Sequence, residues 1–347
     1  MRRIGRTLVT AALAVTVVGG TAGWASGDRQ TAVTGPPPGT AAWRSDSVSG
    51  RPLPDPETAA PAEVARFFDG LDDGALQQLL RAHPMVVGNL DGAPLALRYE
   101  ANRIAVVATG EARYASLAAP GRRILAFDPR GRGQVAEVFG DLERAEHVAV
   151  IVPGSDNDAT AHDAPHRAHT GPAGMARSLR TATGGAVAVV AWTGYTTPVG
   201  VGLDAADGRL AEGGAVRLAR FTAGLDAVGT PDPVLFCHSY GSVVCGLAAH
   251  DTDASDVVAF GSPGMRAGSA AALHTGARVW AARGPSDWIA DVPHVRVGGL
   301  GHGTDPASAA FGARPVPAGD VRGHAGYFAP GSRSLATFAA IATGESR

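Results

Sequence analysis

At 347 residues, with 45% hydrophobic and 18% charged side chains, the chain can bury one large core and is too apolar for wholesale disorder. Its formal net charge of −2 exerts no global pull toward nucleic acid or an anionic membrane. All 30 basic residues are arginines, which excludes a P-loop lysine, a Schiff-base lysine and a Ser–Lys dyad.

Arg2, Arg3 and Arg6 precede the apolar run Leu8 to Gly20, and small residues around Gly23 and Ala25 suit a signal peptidase. Residues 1–25 therefore read as a signal peptide or, if uncleaved, a membrane anchor. The protein is expected to be exported, secreted or held at the cell envelope, with membrane contact only through residues 8–24. Residues 26–60 carry Pro36-Pro37-Pro38 and Pro52, Pro54 and Pro56, a composition that reads as a linker, with structure starting near Pro61. Val64, Phe67, Phe68, Leu71, Leu76, Leu79 and Leu80 then recur at three- and four-residue spacings. This predicts two amphipathic helices broken at Asp72-Asp73-Gly74, and a further helix is expected between Pro94 and Val107. Residues 61–120 are read as a helical segment packed on the core.

Within residues 121–345 the pattern changes to short apolar runs separated by longer segments: Ile124–Phe127, His147–Val152, Ala186–Trp192, Val234–His238, Val257–Phe260 and Arg278–Ala282. Runs that are apolar throughout suit central parallel strands covered on both faces. The expected architecture is α/β, a mostly parallel doubly wound sheet flanked by helices, with function at the carboxyl ends of the strands.

Val234-Leu235-Phe236-Cys237-His238-Ser239-Tyr240-Gly241-Ser242 is an apolar strand, a tight turn tipped by a serine, and a helix start. That is the form of the G-x-S-x-G nucleophile elbow of α/β-hydrolases, with Cys237 where the first glycine is expected and Gly241 kept. In that fold an acid and then a histidine follow the serine. Asp287 is the first carboxylate after the run Arg278–Ala282, with Asp291 as its rival. His324, in a glycine-loosened loop before the last amphipathic helix (Ser332 to Ile341), is the favoured base over His302 and His294. The catalytic set is thus Ser239, His324 and Asp287. One oxyanion-hole amide should come from Tyr240 and the other from Ser155 or Asp156 in the loop after Val152, where Gly154 permits a tight turn. Trp192, Tyr195, Trp288 and His302 are candidate pocket residues, as are Tyr240 and Tyr327.

Asp156, Asp158, His162, Asp163, His166 and His169 invite a metal reading. However, Pro165 would break the helix that His162 and His166 need, and no calcium-loop glycine or distal glutamate follows the aspartates. These residues are read as solvated loop residues at the pocket rim, with no metal and no cofactor required. Cys237 and Cys245, the only cysteines, are either a disulfide bracing the elbow or two small buried thiols.

With these parts in place the chain resembles the actinobacterial α/β-hydrolase family of unassigned function. The resemblance rests on Val87-Gly88-Asn89-Leu90-Asp91-Gly92, Glu100-Ala101-Asn102-Arg103, Val152-Pro153-Gly154 and Trp192-Thr193-Gly194-Tyr195. It continues through Cys237 to Ser242, Phe260-Gly261-Ser262-Pro263-Gly264 and the stretch from His324 to Ser334. It implies an α/β-hydrolase fold and a Ser-Asp-His triad, and assigns no substrate. The expected function is an esterase-like or amidase-like serine hydrolase working through an acyl-enzyme on a small-molecule or lipid-like ester or amide. An acyltransferase on the same triad and a catalytically idle binding module of the cell envelope are the alternatives.

Overall fold

The computed structural model describes residues 29–346; the signal or anchor expected within residues 1–25 lies outside the described residues. Among the described residues, no helix is long and apolar enough to cross a membrane.

Eight strands form one sheet: β3 (Arg123–Asp128), β4 (Gln134–Phe139), β5 (His147–Val152), β6 (Val187–Thr193), β7 (Val234–His238), β8 (Asp256–Phe260), β9 (Arg278–Ala282) and β10 (Arg314–Pro315). A small hairpin, β1 (Ser47–Val48) with β2 (Arg51–Pro52), stands apart. The sheet order is β10-β9-β8-β7-β5-β6-β4-β3. β4 runs antiparallel to both of its neighbours, and every other pairing is parallel. β6 and β7 are buried at every position because helices cover both faces, so no polar alternation survives in their sequences.

The helices are α1 (Thr40–Arg44), α2 (Pro61–Asp69), α3 (Asp73–Ala82), α4 (Pro84–Asn89), α5 (Leu95–Ala108), α6 (Pro172–Ala182), α7 (Leu203–Ala206), α8 (Arg209–Ala227), α9 (Gly241–Ala248) and α10 (Arg333–Ala342). One face of the sheet packs on α8 and α9 through Leu218, Phe221, Val243 and Val244. The other packs on α6 and α10 through Met175, Leu179, Phe338 and Ile341. The break between α2 and α3 falls where Asp72 caps α3, its carboxylate accepting from the Ala75 amide at 2.8 Å. The two helices join α4 and α5 in a separate apolar cluster with Trp43.

Two expectations need correction. Residues 29–60 are not a free linker: Trp43 is fully buried, its indole N–H donates to the Pro54 carbonyl at 2.7 Å, and Thr34 to Pro37 lie along a cavity wall beside Trp192. Proline-rich chain has few N–H donors to satisfy, so it can lie extended on a surface once one large side chain anchors it. The strand β4 was also not expected. Its Glu137 breaks the apolar run, yet the carboxylate is buried, where it accepts from Arg122 at 2.5 Å and meets His162 at 3.1 Å.

Candidate active site

The turn between β7 and α9 holds Ser239 at φ 52°, a left-handed conformation that costs a non-glycine residue energy and is retained where the surroundings enforce it. The enforcement is visible. The Ser239 amide donates to the Phe260 carbonyl on β8 at 3.0 Å, and the Ser242 hydroxyl donates to the Ser239 carbonyl at 2.6 Å. A Cβ on Gly241 would stand 2.3 Å from the Val152 carbonyl, so glycine is what lets α9 start against β5. Cys237 and Cys245 are joined as a disulfide across a Cα separation of 6.4 Å, tying β7 to the helix that follows the turn.

Ser239 is half-buried, and its hydroxyl lies 2.8 Å from Nε2 of His324. Nδ1 of the same ring lies 2.8 Å from Oδ1 of Asp287. Three groups from three distant loops thus form one hydrogen-bonded chain. Asp287 is 3% exposed, and burial by itself would push its carboxyl up. Hydrogen bonds from His324, from the Tyr327 hydroxyl at 2.5 Å and from the Ile289 amide at 3.0 Å outweigh burial, so Asp287 stays below its ordinary value. Asp291 and His294 take no part in this chain; Asp291 is exposed on the loop beyond.

The loop after β5 lies directly against the turn. A Cβ on Gly154 would meet the Ser239 Cβ at 2.6 Å and the Tyr240 amide nitrogen at 2.9 Å. The Asn157 side chain braces this loop by donating to the carbonyls of Gly154 (3.0 Å) and Ser155 (2.8 Å). The Asp156 amide is spent on the Pro198 carbonyl at 2.9 Å, whereas the amides of Ser155 and Tyr240 donate to no protein acceptor among the described residues.

Residues 128–297 match the family model described as alpha/beta hydrolase. The core has the α/β-hydrolase fold. Two uncharacterized proteins of Mycobacterium tuberculosis, one from each of two strains, are 30% identical over 378 aligned positions, which take in 84% of this chain. The chain spans 57% of the length of those relatives. Among solved structures, a dienelactone hydrolase from Anabaena variabilis shares 16% identity at a TM-score of 0.39, covering 61% of this chain and 90% of its own. A lidless serine hydrolase from Xanthomonas campestris shares 14% at a TM-score of 0.38, covering 65% and 94%.

Around this site the other expected pocket residues divide. Trp288 is 43% exposed and lies 4.6 Å from the His324 ring, at the mouth of the site. Trp192 and Tyr195 do not line it. They stack on each other at 6.0 Å in the core against α8, and the Tyr195 hydroxyl donates to the Pro153 carbonyl at 2.7 Å behind the loop. Tyr240 likewise turns inward, its hydroxyl donating to the Asp207 carbonyl at 2.9 Å. His302 is buried beside Tyr240, donates from Nε2 to the Ala205 carbonyl at 2.8 Å, and is pushed down to about 4 by burial. A strand-end position says that a side chain is near the site, but not which side of the sheet it faces.

The acidic and histidine-rich loop is not uniformly solvated either. His162 is buried against Glu137, Asp163 pairs with Arg177 at 2.5 Å, and Asp158 pairs with Arg132 at 2.7 Å. No three such residues among the described ones are arranged to hold a metal ion.

Two neighbours of this hydrogen-bonded chain make contacts that the sequence does not announce: Tyr327, expected only as a pocket side chain, and His238. Tyr327 accepts from the Gly284 amide at 3.0 Å while donating to Asp287, so it joins the Asp287 loop to the His324 loop. Its own hydroxyl is pushed up by burial first and by the carboxylate second. His238, next to the serine, sits beneath His324 with ring centroids 4.8 Å apart, and its Nε2–H donates to the His324 carbonyl at 2.8 Å. Burial, followed by the nearby His324, lowers it to about 3, so it is a neutral strut. The Tyr327 signal was available in the short spacing from His324; nothing local marked His238.

Proposed function

We propose that the protein is an exported serine hydrolase that cleaves an ester or amide through an acyl-enzyme on Ser239. The observation that carries this reading is the continuous chain Ser239–His324–Asp287, with both links at 2.8 Å. The Ser239 oxygen attacks the substrate's carbonyl carbon as its proton passes to Nε2 of His324. Asp287 stays ionised and holds the imidazole by Nδ1–H in the tautomer that leaves Nε2 free to accept. The amides of Ser155 and Tyr240 are the candidate donors to the oxyanion that forms. Collapse expels the leaving group with the proton from His324, and water, activated by the same ring, then attacks the acyl-enzyme and restores Ser239. Tyr327 and His238 are positioning residues in this scheme: one holds the acid, the other the base's backbone. Export is supported by the basic and apolar composition of residues 1–25 and by the disulfide, which persists in oxidising compartments.

A fluorophosphonate probe tests the reading directly. The wild-type chain should be labelled at Ser239 and S239A should not, and a folded wild type that resists the probe would sink it.

A further inference from the structure

Most of the large apolar side chains that stand exposed among the described residues belong to two loops on the Ser239 side of the sheet. Val199, Val201 and Leu203 lie beyond β6, and Val295, Val297 and Leu300 lie beyond β9; Val201 is 62% and Val297 72% exposed. A single exposed valine needs no explanation, but a cluster drawn from loops about a hundred residues apart in sequence does. The loops are stitched together: Asp207 bridges to Leu300, and the Gly301 amide donates to the Ala206 carbonyl at 2.8 Å. The first of them is tied directly to the site, and the second through it. The Pro198 carbonyl accepts from the Asp156 amide at 2.9 Å, the Gly200 amide donates to the Asp156 carboxylate at 2.9 Å, and Asp207 holds the Tyr240 hydroxyl. With Trp288 beside His324, these side chains form an apolar rim around the approach to Ser239.

Two further observations say what the rim meets. The carboxylates of the first loop are already paired, with Arg209 reaching Asp204 and Asp207 at 3.0 Å and Arg29 reaching Asp207 at 3.4 Å, and the exposed Asp291 beside the second loop is matched by the exposed Arg296 within it, so little net negative charge opposes a phospholipid headgroup. The chain is also pinned here at its first described residues. The Gln30 amide donates to Asp204 at 2.9 Å, its side chain donates to the Thr197 carbonyl at 3.1 Å, and it accepts from the Val199 amide at 2.9 Å. The apolar run Leu8 to Gly20 is joined to that point through residues 21–28. Nine Cα steps reach at most ~32 Å, so a bilayer holding the run would have the rim within reach of its surface.

We propose that this rim docks on a lipid surface and that the enzyme draws an acylated lipid, as ester or amide, from that surface into the Ser239 site. The substrate half rests on the serine-hydrolase reading; the docking half does not. Apolar side chains that seat at the headgroup–acyl boundary, with polar partners already satisfied, bind by buried area and need no anionic lipid.

The chain has no free cysteine among its described residues, and its two cysteines are bonded to each other, so one introduced thiol can be labelled cleanly. V201C and V297C place an environment-sensitive fluorophore on the rim, and V107C places it on α5 as the control. The full chain is mixed with phosphatidylcholine vesicles, and the same variants are made with S239A. Rim labels should shift to the blue and brighten while the V107C label does not, in both backgrounds. Equal response at rim and control, no response at the rim, or a rim response to protein concentration without vesicles would overturn docking; the last would identify a second copy as the occupant. The substrate half is read with a fluorogenic acyl ester dissolved in the vesicles, cleaved by wild type and not by S239A. Docking and probe labelling without cleavage would overturn that half, while loss of probe labelling with docking intact would fault the hydrolase reading alone.

Discussion

Lowering the pH from about 8 to about 5 should destabilise the fold through two imidazoles that are buried without charge. His238 lies under His324 against Phe260, and burial brings it down from 6.5 to about 3; burial likewise brings His302 down from 6.5 to about 4. A histidine depressed in the folded state binds its proton more readily when unfolded, so stability is full above the ordinary value near 6.5 and drains as pH falls toward the folded value. At about pH 5 both folded values still lie lower, so each loss is set by the distance from 6.5 rather than by the depth of the depression. That distance, roughly 1.5 pH units at ~1.36 kcal/mol each, gives about 2 kcal/mol per ring and about 4 kcal/mol for the pair. Asp287 works at the opposite end: its lowered carboxyl contributes stability that is lost only as pH falls through its folded value, outside this window. Urea denaturation at the two pH values measures the effect. H238Q keeps an amide N–H for the His324 carbonyl and cannot titrate, so its loss should shrink to about 2 kcal/mol, and H238Q/H302Q should lose almost none. An H238Q variant with the full wild-type pH dependence would refute the reasoning.

Tyr327→Phe removes the 2.5 Å donor to Asp287 and the acceptor for Gly284 in a buried site. It should cost about 1.5–3 kcal/mol on denaturation and lower kcat on a nitrophenyl ester with KM little changed; undiminished turnover would leave Tyr327 a packing residue. Gly154→Ala drives a Cβ into Ser239 and the Tyr240 amide, so the loop after β5 must move. Fluorophosphonate labelling should slow by about 10²-fold, and an unchanged rate would show that the loop yields at no cost to the site.

The elbow was legible because everything it needs is local: an apolar strand, a serine at the turn and Gly241 at the helix start occupy nine consecutive residues of sequence, Val234 to Ser242. The convergence of Asp287 and His324 on Ser239 was legible by chain order, since each follows its turn signal at an element end. Tyr327 and His238 were not, because their roles lie in contacts across 40 and 86 positions of sequence. Trp192 and Tyr195 were assigned to the pocket on proximity to a strand end, and their packing against α8 turned them to the other side.

By itself the sequence determined the α/β order, the central strands, the breaks between the first helices and the residue types brought to the carboxyl ends, because periodicity, caps and glycine turns act within a few residues. Only the tertiary structure decided which of those ends converge, that the proline-rich stretch from Arg29 to Ala60 is anchored on the core, and that valines from two distant loops share one rim. Those outcomes depend on which faces remain uncovered once the sheet has closed over its helices, and a local pattern carries no record of that.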